Sequence, residues 1–213
     1  MTPLVKAGVI GGILTSLAGA GYASTYLFPS PTKKVSDLIT RQDLYMLLKT
    51  GNNEDTTHWT KAWEAYKKDN NGNENDIFGL EGWKSDGSVD VTAKLKEKCG
   101  ILKGSLVYDT DDSQYKNITK YCGRAITVED EAKKDSTLTI INTETSGTAG
   151  DWDNKHTNRS NLKAYIEKLG MTFSGINANQ IKEGCKVAKT KDKVTNKDQY
   201  SGIYEAYKKV CTK

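Results

Sequence analysis

Residues 95–99 read Leu95-Lys96-Glu97-Lys98-Cys99, and residues 181–185 read Ile181-Lys182-Glu183-Gly184-Cys185. Each string is followed by a second cysteine in a similar setting. Tyr115 to Cys122 reads Tyr-Lys-Asn-Ile-Thr-Lys-Tyr-Cys, and Tyr204 to Cys211 reads Tyr-Glu-Ala-Tyr-Lys-Lys-Val-Cys, with Tyr, Lys and Cys at the same offsets. A tryptophan precedes each pair, Trp59 or Trp63 in the first half and Trp152 in the second. Recurrence at a fixed period signals a repeated structural unit. The expected body is therefore two small tandem-like helical repeats, 33–123 and 124–213, behind an amino-terminal segment of residues 1–32. One identical string competes with this register: Glu64-Ala65-Tyr66-Lys67-Lys68 matches Glu205-Ala206-Tyr207-Lys208-Lys209. Its residues are common on any surface helix, so the cysteine register is preferred.

Apolar periodicity supplies the helices. Val35, Leu38, Ile39, Tyr45 and Leu48 predict a first helix that starts near Ser36 and stops at Gly51-Asn52-Asn53. Trp59, Ala62, Trp63 and Tyr66 fall at i, i+3, i+4 and i+7, one wide apolar face behind a Thr56 or Thr57 cap. Asp90 caps a helix with Val91, Leu95 and Cys99 on one line, and Ser160 precedes another with Leu162, Tyr165, Ile166 and Leu169. Asn177 with Gln180 three residues later is a capping signature for the helix carrying Ile181 and Cys185. A last helix carries Tyr200, Ile203, Tyr204, Tyr207 and Cys211. Strand signals are confined to Leu102–Tyr108 and Thr137–Ile141. The fold class expected is mainly α, or α+β where those short strands form.

Working outward to the amino terminus, no charged side chain lies between Lys6 and Lys33. The 22 residues from Ala7 to Phe28 make about 33 Å of helix, enough to cross a bilayer. Gly8 and Gly12 form a small-xxx-small pair suited to close helix packing in lipid. A single transmembrane anchor is the expectation. The competing readings are a cleaved secretory signal, with small-x-small sites at Ala18-Gly19-Ala20 and Gly21-Tyr22-Ala23, and a buried helix of a soluble protein. Orientation is not set by charge, because Lys6 and the terminal amine nearly balance Lys33 and Lys34.

The 213 residues are 36% hydrophobic and 27% charged. Lys6 is the sole cation before residue 33, which leaves 30 Lys and Arg against 27 Asp and Glu in the body. That balance is too even for a nucleic-acid footprint, which needs clustered cation to release counterions. A lean core in a small unit calls for covalent help. Cys99 with Cys122 and Cys185 with Cys211 would each close a loop of about 25 residues, worth on the order of 3 kcal/mol. Four buried reduced thiols are the alternative for a body facing the cytoplasm. No close cysteine pair points to zinc.

Other chemistry is sparse. Asp69, Asn71, Asn73 and Asn75 start like a calcium loop, but Glu74 stands where the turn needs glycine and Leu80 where a bidentate acid belongs. His58 and His156 are the two histidines. The signatures of serine hydrolases, phosphate-cradling loops, dinucleotide sites and zinc hydrolases are missing. No catalytic residue, cofactor or metal is therefore assigned, and the chain is not read as an enzyme. With 11 Tyr and 4 Trp against 3 Phe, the composition suits contact surfaces, since these rings offer area with a polar handle. Trp83 and Tyr108, in irregular stretches, are the candidate contact residues.

A glycine-rich amino-terminal membrane segment, a polar body, Leu/Ile-Lys-x-x-Cys helices and the closing Val210-Cys211-Thr212 resemble the expanded paralogous families of haemotropic mycoplasmas. Members often carry Trp-Cys where this chain has Tyr121-Cys122 and Val210-Cys211. The resemblance implies a single-pass protein at the cell membrane with an extracellular carboxy-terminal body. It implies no established activity, and it brings no catalytic residues. The expected role is a binding or antigenic module whose partner is a host protein or host cell surface. The alternatives are an enzyme of unrecognised type in the same body, and a membrane-tethered scaffold inside the cell.

Overall fold

Val35, fully buried at the start of the first helix, shows how the body is assembled. Its backbone N–H reaches the carbonyl of Ser105 at 3.0 Å, and the next N–H, of Ser36, reaches that of Lys103. A computed structural model describes residues 31–144 and 149–213 of the chain. Among them run β1 (Lys33–Lys34), α1 (Val35–Gln42), β2 (Tyr45–Leu47), α2 (Thr56–Asn70), α3 (Thr92–Leu102), β3 (Leu106–Val107), α4 (Ser113–Tyr121) and β4 (Gly123–Ala125). Then follow α5 (Val128–Lys134), α6 (Ala149–Thr157), α7 (Arg159–Lys168), α8 (Ala178–Ala188) and α9 (Tyr200–Val210). The fold is mainly helical. Two antiparallel strand pairs, β1 with β3 and β2 with β4, tie helix ends together.

The transmembrane segment expected over Ala7–Phe28 lies outside the described residues. Among the described residues no helix is long and apolar enough to cross a membrane. Residues Pro31–Lys213 form one compact unit. It holds two apolar clusters, one from Val35 to Cys122 and one from Val128 to Cys211.

Several expected boundaries move. The first helix ends at Gln42, short of Leu48, because Asp43 takes the left-handed conformation (φ 48°) and donates its N–H to Ile39. Aspartate is among the few residues besides glycine that adopt this conformation readily. The chain then turns into β2, whose Tyr45, Met46 and Leu47 face Ala125, Arg124 and Gly123. Tyr45 and Leu48 are thus at helical spacing from α1 without belonging to it. The strand expected over Leu102–Tyr108 shrinks to two residues, since α3 runs through Leu102. That over Thr137–Ile141 is a single bridge, Ile140 to Thr212. Three of the described helices, α4, α5 and α6, were not among those read from apolar periodicity. Thr127 and Asp130 close a capping box on α5 with Asp in the place usually filled by Glu or Gln, which hides the signal. The box expected at Asn177 and Gln180 forms on α8.

The contacts that hold the first half recur in the second. Val128 and Glu129 donate to the carbonyls of Lys191 and Lys189, as Val35 and Ser36 do to Ser105 and Lys103. Those acceptors stand four and six residues past Cys99 and, in the second half, four and six past Cys185. Leu48 donates to the Cys122 carbonyl at 2.9 Å, and Ile141 to that of Cys211 at 3.0 Å. The Trp59 indole N–H donates to Lys49 ten residues back, and that of Trp152 to Asn142 ten residues back. The pairing Lys34–Leu106 is matched by Thr127–Asp192, and Leu47–Gly123 by Ile140–Thr212. Leu95 and Ile181 are both fully buried. The competing Glu-Ala-Tyr-Lys-Lys strings lie on α2 and α9, which hold different places in this arrangement.

Candidate functional site

Within each half the two cysteines meet. Cys99 on α3 is bonded to Cys122 just past α4, and Cys185 on α8 to Cys211 just past α9, leaving no free cysteine. All four are buried. A thiolate is therefore not offered as nucleophile or ligand. Among the described residues no group of three or more His, Cys, Asp or Glu is disposed to hold a metal ion. Asp69, first residue of the calcium-like stretch, is instead held by the Lys120 ammonium and the Tyr121 hydroxyl, which keep its carboxyl below the usual range.

The two candidate contact residues fall into different surroundings. Tyr108 is 49% exposed just past β3. Trp83 is half-buried, its ring edge-on to Trp63 at 6.1 Å and to Tyr66 at 5.9 Å, with its indole N–H on the Asn73 carbonyl. It serves the first core as much as the surface. Beneath it the Tyr66 hydroxyl donates to Asp76, and that carboxylate also accepts the N–H groups of Phe78 and Leu80. Burial, followed by the hydrogen bond with Asp76, raises the Tyr66 pKa well above its ordinary value, so the phenol stays protonated. The Asn70 side chain donates to the Tyr66 carbonyl and accepts from Ile77. These bonds clamp the segment 71–91 down over α2.

The second half carries different residues at the matching positions, divided between the end of α6 and the start of α7. Counting 93 residues on, the offset that relates Trp59 to Trp152, the buried Trp63, Tyr66 and Asn70 become His156, Arg159 and Lys163. With Glu167 they line one side of an open groove of about 770 Å³ along α6 and α7. The opposite side is the segment Met171 to Asn177, which turns at Gly175 (φ 71°) before Asn177 caps α8. The Arg159 guanidinium is held by a hydrogen bond to the His156 carbonyl at 3.0 Å, and the Lys163 ammonium lies 5.4 Å from the Phe173 ring centre. Neither Arg159 nor Lys163 is ion-paired among the described residues. This groove was missed in the sequence. Its available signal was the spacing of His156, Arg159, Lys163 and Glu167 at helical intervals, which reads equally well as a solvated face.

At the junction of the halves, Arg124 of β4 makes a two-pronged ion pair with Asp130 of α5. Burial pushes the Asp130 carboxyl up, but hydrogen bonds from Arg124 and Thr127 outweigh it and hold the pKa at about 2. Lys193 bridges Asp43 and Glu131 nearby. Comparison with protein families, curated proteins and solved structures finds no match to this chain.

Proposed function

We propose that the chain is a binding module displayed outside the cell on a membrane anchor, its body a duplicated helical unit stapled once in each copy. The observation that carries this reading is the pair of disulfides at matched positions, Cys99–Cys122 and Cys185–Cys211. Such bonds persist in oxidising surroundings, and they stiffen small units whose cores are lean. The matched backbone contacts support the duplication. The helix faces then supply what differs between the copies, as in scaffolds that hold a fixed frame and vary a contact surface. The uncharged stretch from Ala7 to Phe28 supports the anchor, and the resemblance to the haemotropic mycoplasma families supports the surface location. The expected partner is a host protein or cell surface.

Protease added to intact cells is expected to remove everything after about Lys33 while sparing a membrane-embedded fragment. Full protection of the body on intact cells, with digestion only after lysis, would place it inside and end this reading.

A further inference from the structure

We infer that the groove along α6 and α7 binds a short peptide segment that carries acidic side chains beside an apolar one. The inference rests on the body's being a binding module and adds the chemistry of what it binds. Three features of the groove lead to it.

The first is charge. Arg159 and Lys163 follow one another along one wall beside the imidazole of His156, and Arg159 is half-buried with its guanidinium already fixed by the His156 carbonyl. A guanidinium held in place loses less freedom when it takes a carboxylate, and its fork can bind both oxygens. No carboxylate of the described chain takes that position. The second feature is the opposite wall, where the half-buried Met171 and Phe173 supply apolar surface and Lys163 sits over the Phe173 ring. A methionine and an aromatic ring beside charged groups suit a peptide side chain better than a sugar hydroxyl.

The third is length and the sign of the far end. From Arg159 to Glu167 on α7 the wall spans 8 residues, about 12 Å at a 1.5 Å rise, which matches about three to four residues of extended chain, and His156 near the end of α6 extends it. Glu167 reverses the charge at that end. A uniform polyanion such as a sulfated glycan would meet repulsion there and leave Phe173 uncovered. A peptide with acids toward His156 and Arg159, an apolar residue at Phe173 and a cation at Glu167 satisfies every wall.

The first half contains its own control. At the matched positions Trp63, Tyr66 and Asn70 are buried under the clamped segment 71–91, so the same frame offers no such groove there.

The test uses the purified full-length chain in detergent and a fluorescein-labelled peptide, Glu-Asp-Phe-Leu-Lys, supplied in both chain directions. Fluorescence anisotropy is expected to show saturable binding in one direction, weakened at least tenfold when Gln and Asn replace Glu and Asp. Lys163→Glu, an exposed position, is expected to weaken it tenfold or more with unchanged circular dichroism. Glu167→Lys is expected to shift preference toward a peptide ending in Glu. Equal binding of the acidic and neutral peptides, or a Lys163→Glu chain that binds as wild type, would overturn the inference. So would heparin binding more tightly than the peptide and displacing it. Because this assay is indifferent to which side of the membrane the body occupies, peptide binding combined with full protease protection would retain the groove and remove the surface display. The reverse result would retain the display and remove the groove.

Discussion

Trp63, Tyr66 and Asn70 on α2 close the first half over a buried aromatic cluster, whereas His156, Arg159 and Lys163, 93 residues later, leave the second half open. The backbone frame around them is the same in both: a helix start docked on the turn after the first cysteine, a strand edge held by the second, and an indole bonded ten residues back. The difference lies in the covering segment. In the first half residues 71–91 are drawn in by Asp76, and Tyr66 packs against the tilted ring of Phe78 and meets Trp83 and Tyr121 edge-to-face. In the second half α7 and the short turn Met171–Asn177 take that place. A frame held by main-chain bonds and a disulfide is independent of the side chains on this face. The first half uses these positions for packing, and in the second they border an open groove.

The largest expected asymmetry is therefore in truncation. Trp63→Ala should destabilise the chain by about 3–5 kcal/mol, as for other buried aromatic residues. His156→Ala, at the matched position, should change stability by less than about 0.5 kcal/mol. Urea unfolding of both variants measures the difference, and equal losses would break the comparison. The disulfides should behave alike, because their separations of 23 and 26 residues are nearly the same. Replacing either pair with serine should cost about 3 kcal/mol. A loss confined to one half would show that the frames are not equivalent.

The junction gives a smaller effect that depends on pH. The Asp130 pKa of about 2 lies below its unfolded value, so its stabilisation is present above about pH 4 and is lost as the pH falls toward 2. That contribution is about 2 kcal/mol, and Asp130→Asn should flatten the acid limb of the stability profile by that amount. The smallest effect separates two buried tyrosines. The Tyr66 hydroxyl is bonded to Asp76, whereas that of Tyr207, fully buried in the second core, has no hydrogen-bond partner among the described residues. Tyr66→Phe should cost about 1 kcal/mol, and Tyr207→Phe should gain a similar amount by removing a buried unpaired hydroxyl.

How much of this was legible follows from where each signal sits. The cysteine register, the Trp59–Tyr66 face and the Asn177–Gln180 cap are local patterns, and the structure uses them as read. The end of α1 was not legible, because β2 owes its existence to Gly123–Ala125, some 78 residues away. Trp83 reads as a loop aromatic, and its packing on Trp63 and Tyr66 depends on the clamp at Asp76. The groove was hidden for a related reason. Its two walls come from segments whose residues differ from those of the first half, so the repeat that revealed the frame gave no hint of the cavity.

Differential alkylation of the protein taken from intact cells, followed by non-reducing peptide mapping, tests both the paired frames and the side of the membrane they face. The expected result is that no cysteine is modified before reduction, with Cys99 linked to Cys122, Cys185 linked to Cys211 and nothing linked across the halves. Four alkylatable thiols, or a bridge joining a cysteine of one half to a cysteine of the other, would contradict the account.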